Sequence, residues 1–220
     1  MTRVMAAVAL GAVTVGLSGC GSVVAGTPTW PGEHLEKVLL TQADFPAGVV
    51  YDRITDEPGT PDGAGGPPSM LSRPPGCANA LTDVIAKTAE RGPGSAAKYS
   101  VAFDGARIVM TVLSSRLDLG SLAAAAARCE HFETFFDTRS PGIPITTTTL
   151  PSGPDALAYE QTMQLGGSTN SFYMSFANAG GMGVFGAAFP TKNPTISVKG
   201  TLPQTFLDTA QRQAARIAAS

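Results

Sequence analysis

The chain has 220 residues and a formal net charge of −2, from 15 Lys and Arg against 17 Asp and Glu. Its basic residues are scattered singly from Arg3 to Arg216 with no basic stripe, which excludes the electrostatic footprint of nucleic-acid binding. The length suits one domain with a sizeable core rather than two.

The N-terminus reads as a targeting segment. Arg3 supplies a thin positive region, and the apolar run Val4 to Leu17 is shorter than the ~20 residues needed to cross a bilayer, so it suits a signal peptide. Leu17-Ser18-Gly19-Cys20 resembles a bacterial lipobox, with cleavage between Gly19 and Cys20. That resemblance implies a diacylglyceryl thioether on the Cys20 sulfur and, usually, an acylated amine. Several acyl chains at about 0.8 kcal/mol per buried methylene hold a protein firmly on a membrane. The expected division is therefore a signal peptide over 1–19, a lipidated tether over 20–32 and a single domain over 33–220. The Gly-, Ser- and Pro-rich tether would reach ~20 Å and ends near Trp30.

With Cys20 lipidated, the two remaining cysteines, Cys77 and Cys129, are expected to pair in an oxidising compartment. The competing reading, a redox or metal pair, finds no CxxC and no cluster of ligands around them. Along the chain, Glu33 to Leu40 reads as a short helix stopped by the Asp44-Phe45-Pro46-Ala47-Gly48 turn, and Val49 to Tyr51 as a brief strand. A Pro/Gly-rich loop over 55–76 buries too little to offset its ordering entropy, although Met70-Leu71 could dock on the domain. Cys77, Leu81 and Ile85 mark one face of a helix running to about Arg91.

Asp104-Gly105 predicts a hairpin over Ala97 to Ser115 with a type I′ turn. Its register places Phe103 opposite Ala106, Val101 opposite Ile108 and Tyr99 opposite Met110. One face is then apolar, while Lys98, Ser100, Arg107 and Thr111 face water. A second long helix starts at Asp118, and the spacing of Leu122, Ala125, Cys129, Phe132 and Phe136 carries it past Cys129. Strands follow at Ile143 to Leu150, Leu157 to Leu165, Ser171 to Ala177 and Met182 to Phe189, with Thr146 to Thr149 read as an exposed edge. Gly183 and Gly186 weaken the last strand or mark a close approach. An amphipathic helix closes the chain to Ala218, with Asp208 and Arg212 paired on its outer side. The expected fold is α+β: an antiparallel sheet of five to six strands, helices packed on one face, and one disulfide.

Chemistry is sparse. The chain has two histidines and no HExxH, GxSxG, Walker or GxGxxG pattern. Glu130-His131 with Glu133 is the one cluster with acid–base potential, and with no nucleophile indicated its first reading is a solvated polar stripe on the helix. No catalytic residue, metal or cofactor is implied. Phe172, Met174, Phe176 and Met182 could line an apolar ligand cavity, or serve as core.

The lipobox followed by Gly-Ser-Val-Val-Ala-Gly-Thr-Pro, then Leu39-Leu40-Thr41 with Asp44-Phe45-Pro46 and Gly48, then a Pro-rich loop into Pro75-Gly76-Cys77, resembles mycobacterial and other actinobacterial cell-envelope lipoproteins of uncharacterised function. More distantly, the layout is similar to the extracellular sensor-like domains of mycobacterial receptor kinases, which usually carry two disulfides where this chain can make one. The resemblance implies a lipid-anchored domain on the outer side of the cell membrane. It would be non-enzymatic, binding a small or lipidic ligand or docking on another envelope protein. Neither family supplies catalytic residues.

Overall fold

The computed structural model describes residues 32–55, 70–89, 92 and 94–220. The segment expected to be a signal peptide cleaved between Gly19 and Cys20, the expected tether up to Pro31 and most of the 55–76 loop lie outside the described residues. No described helix is long and apolar enough to cross a membrane.

Among the described residues four helices, α1 (Glu33–Val38), α2 (Ala80–Thr88), α3 (Leu119–Arg128) and α4 (Gln204–Ala218), pack against a single sheet. Its strands are β1 (Val50–Ile54), β2 (Leu71–Arg73), β3 (Ala96–Phe103), β4 (Ala106–Leu113), β5 (His131–Phe135), β6 (Ile143–Leu150), β7 (Ala156–Leu165), β8 (Ser168–Ala179) and β9 (Met182–Phe189). They lie in the order β1-β3-β4-β9-β8-β7-β6-β5-β2, every neighbouring pair antiparallel.

The sheet therefore has nine strands, and the expectation of five to six is corrected. The three additions have separate causes. The brief strand at Val49 to Tyr51 extends to Ile54 and pairs with β3. The C-terminal end of the Pro/Gly-rich loop joins the sheet as β2, too short to show alternation. The second long helix stops at Arg128, where Cys129 takes the C-cap position, and β5 begins two residues later. In β5 the period is two, not 3.6: Phe132 and Thr134 are buried while His131 is exposed. The Phe-rich end carried apolar spacing compatible with both, and pairing with β6 decides it.

Helices pack on both faces, not one. α1 and α4 cover the first face, where Leu35, Val38, Phe206 and Ile217 meet Tyr99, Val101, Met110 and Val184. α2 and α3 cover the second, where Leu81, Ile85 and Leu122 meet Tyr159, Met174, Phe176 and Phe185. Adjacent residues of β9 thus serve opposite cores. Consequently Ser100 and Thr111, expected on a wet face, are buried.

The β3–β4 hairpin has the expected register, Phe103 to Ala106, Val101 to Ile108 and Tyr99 to Met110. Its turn is not type I′, because that turn needs positive φ at both central residues and only Gly105 has it (φ 107°). The cause is tertiary. Asp104 donates its N–H to the Val198 carbonyl (2.9 Å) and accepts from Gly200 N–H (2.9 Å), while Gly105 N–H donates to Thr191 (2.9 Å). At Gly186 a Cβ would lie 2.8 Å from the Phe206 ring and 2.9 Å from Met110 Sδ, so the close approach there is made by the core. The threonine run of β6 is interior, between β5 and β7, and the edges are β1 and β2.

α4 is tied to the N-terminal segment through polar groups. Buried Gln213 donates to the Val38 carbonyl (2.8 Å) and accepts from Leu40 N–H (3.0 Å), satisfying the end of α1. The expected Asp208–Arg212 pair is absent: Asp208 accepts from Gln204 (2.6 Å), while Arg212 donates to the Asp44 carbonyl and lies over the Phe45 ring. Arg216 pairs with the Asp44 carboxylate.

Two outcomes follow. The disulfide between Cys77 and Cys129 closes a separation of 52 residues. Its removal in Cys77→Ala/Cys129→Ala should lower unfolding free energy by about 4 kcal/mol in urea titration. Asp44 is held below its ordinary value of 3.8 first by the Thr41 backbone N–H, then by the Thr41 hydroxyl and Arg216, against the opposing effect of burial. A depressed folded pKa stabilises above the unfolded value and ceases to do so as pH falls through the folded one. Asp44→Asn should therefore cost on the order of 0.5–1 kcal/mol at pH 7, and the gap in melting temperature should close as pH drops below 3.8.

Candidate functional site

α2 and α3 cover only part of the second sheet face. Between their disulfide-linked ends and the strands lies an elongated cleft of about 1210 Å³. The register fixes its floor. Thr147, Gln161, Phe172 and Phe189 form one row across β6, β7, β8 and β9, and Ile145 with Met163 lies two residues further along. Phe172 and Phe189 stack at 5.9 Å between ring centroids. The ceiling is made by Cys77 to Thr82 at the start of α2 and by Ala126 and Cys129 of α3.

The wall is held by hydrogen bonds from the floor. Thr147 Oγ1 donates to the Cys129 carbonyl (3.0 Å) and accepts from Gln161 Nε2 (3.1 Å), coupling the disulfide to the polar centre of the cleft. Ser72 Oγ accepts from Cys77 N–H (2.8 Å), so β2 fixes the other end of the ceiling. Among the described residues of the lining, Lys98 is the one charged side chain, beside Thr111 at the β3–β4 end. At the opposite end two large apolar side chains stand in water, Phe136 at 78% and Leu165 at 52% exposure. A site of this size, mainly apolar with a few polar groups, has the anatomy of a ligand cleft.

Of the four residues singled out in the sequence, the structure brings Phe172 and Met174 to this cleft. Phe176 belongs to the same face but is fully buried beneath it, stacked on Phe185 at 5.3 Å. Met182 sits in the opposite core. The turn predicts this: a two-residue Gly180-Gly181 loop pairs Ala179 with Met182, so Met182 shares a face with odd-numbered residues of β8, not with Phe172, Met174 and Phe176. The sequence reading overlooked Lys98, Gln161, Phe189 and the exposed lip. Gln161 and Phe189 could have been placed by the alternation of β7 and β9, but Phe136 lies beyond the end of a strand that was read as helix.

The Glu130-His131-Glu133 cluster lies on and beside β5, where the sequence predicted a helix. His131 approaches Thr146 Oγ1 (3.4 Å) and Glu130 (3.8 Å), and Glu133 faces Arg73 (3.7 Å), all largely exposed. Among the described residues that line this groove there is no serine or cysteine. Among the described residues no three His, Cys, Asp or Glu side chains gather in metal-binding geometry.

No protein-family model matches the chain, and no curated protein matches it. Solved structures do, two mycobacterial ones among them. An uncharacterised protein from Mycobacterium smegmatis, the Rv0999 ortholog, aligns at 15% identity and a TM-score of 0.49, covering 83% of this chain and 95% of that one. The extracellular domain of PknH from Mycobacterium tuberculosis aligns at 13% identity and a TM-score of 0.54, covering 88% of this chain and 97% of that domain. The chain shares the fold of that extracellular domain.

Burial separates the roles of the two neighbouring phenylalanines. Phe176→Ala should cost about 3–5 kcal/mol of stability, whereas Phe172→Ala, partly exposed on the floor, should cost no more than about 2 kcal/mol. Denaturant titration of both variants checks the order.

Proposed function

We propose that the chain is a lipid-anchored, extracytoplasmic, sensor-like domain that binds a small or lipidic ligand in the cleft beneath the disulfide-linked helices. The observation that carries this reading is the cleft itself. It is largely apolar, it holds Gln161 and Thr147 at its centre, and it is bounded by a covalent crosslink rather than filled by side chains. The extracytoplasmic side is supported by the disulfide and by the fold shared with an extracellular domain. Membrane attachment rests on Leu17-Ser18-Gly19-Cys20, with Cys20 as the lipidated residue.

The reading is non-enzymatic and needs no cofactor. The two histidines give it little to work with: His34 is exposed on α1, and His131 lies outside the cleft. A second reading, an adaptor that docks on another envelope protein, draws on the exposure of Phe136 and Leu165.

Native mass spectrometry of the chain from Thr27 onward, purified from its own host, tests the two against each other. A near-stoichiometric small molecule or lipid supports the ligand domain and gives its class. A clean apo mass transfers the weight to the adaptor. Cys20→Ala should abolish the lipidated mature mass, and an unchanged mass would remove the anchor.

A further inference from the structure

The hydrogen bonds at the centre of the cleft narrow its ligand, on the premise that the cleft is a binding site. The Cys129 carbonyl can only accept, so the single proton of the Thr147 hydroxyl is committed to it (3.0 Å). The Gln161 group that meets the same hydroxyl must then donate, which fixes Nε2 toward Thr147 (3.1 Å). The amide is left with its carbonyl Oε1 and its second N–H, and neither has a hydrogen-bond partner among the described residues. Half-buried Gln161 thus offers one acceptor and one donor to whatever occupies the cleft.

A group that both accepts and donates satisfies this edge, which describes a hydroxyl or an amide. A carboxylate only accepts and an ammonium only donates, so either leaves half of the edge unmet. The charged side chain of the described lining, Lys98, is on β3, four strand spacings or ~19 Å from β7.

Apolar surface runs from Gln161 in two directions. Along β7 it passes Met163, with Ile145 opposite, and reaches the Leu165 and Phe136 lip after ~13 Å. Across the sheet it passes Phe172 on β8 and Phe189 with Ala187 on β9 to Val109 on β4, three strand spacings or ~14 Å. Each arm is close to the ~15 Å that one leaflet of a bilayer's ~30 Å hydrocarbon core gives an acyl chain. A chain with its polar group at one end either fills one arm, with that group at Gln161, or fills both and leaves the amide against methylenes. A polar group between two apolar arms meets the whole surface.

We infer that the cleft takes an uncharged, two-armed amphiphile, its central hydroxyl or amide held by Gln161 and its alkyl arms lying along β7 toward the lip and across β8 and β9. Gln161 is then the residue that sets specificity.

The test uses the chain from Thr27, since every described element lies within residues 32–220. N-pentylpentanamide and decanamide contain the same atoms and differ in whether the amide stands between two arms or at the end of one. Each is titrated by isothermal calorimetry. The expected result is one N-pentylpentanamide per chain, with Kd at least tenfold below that of decanamide. Gln161→Leu should bring the two Kd values within twofold of each other, whereas a variant that merely loosened the fold would weaken both and keep their ratio. Ala187→Trp, which closes the arm across β9, should raise Kd for N-pentylpentanamide at least tenfold. Equal binding of the two isomers by the unmodified chain would overturn the inference without any variant, and a tenfold ratio retained in Gln161→Leu would remove Gln161 from it. If the host-purified domain carries a charged or single-armed molecule and neither amide binds, this inference falls while the ligand-binding reading stands. If nothing binds in either experiment, both fall.

Discussion

A nine-stranded sheet that four described helices cover on both faces is the constraint on which the rest of this structure depends. The central strands β4, β9 and β8 bury side chains on both faces, and they need cover on both. α4, the longest helix, crosses the first face and is held to the N-terminal segment by Gln213, Arg212 and Arg216. The second face receives α2 and α3, joined at their ends by the disulfide. The cleft lies between their disulfide-linked ends and the strands β6 to β9.

Much of this was legible in the residues. Turn chemistry at Asp104-Gly105 set the hairpin register, because two-residue loops leave one way to pair two alternating strands. The bounds of β6 and β9 and the apolar stripe of α4 were visible for the same reason: long, strongly periodic segments constrain themselves. What was hidden depended on partners far away in the chain. β2 exists because β5 is there to pair with it, and Arg73 and Glu133 meet only through that pairing. The turn conformation at Asp104 is imposed by residues 191–200. The surface pair Asp208–Arg212 lost to Asp44, some 170 residues distant, as exposed pairs of small worth readily do.

The candidate site divides along the same line. Cysteine arithmetic identified the two thiols that the structure joins. Strand alternation identified Phe172 and Met174 as neighbours on one face. Depth was not legible: Phe172 and Phe176 share chemistry and face, and only the packing of α2 and α3 decides that one lines the cleft while the other lies under it. The exposed lip was illegible because an apolar residue at the end of a strand carries no mark of exposure.

The chain order across the sheet divides it into two blocks. β5 to β9 form a continuous meander of local hairpins, β3 and β4 form another, and the β4–β9 pairing joins them across the intervening strands. That seam is the costly contact in loop-closure terms, since its partners lie far apart in sequence. Both cysteines precede β6, so their bond can close as soon as α2 and α3 meet. The oxidised crosslink therefore records that the first half of the chain has come together and carries no information about whether the sheet has been zipped shut.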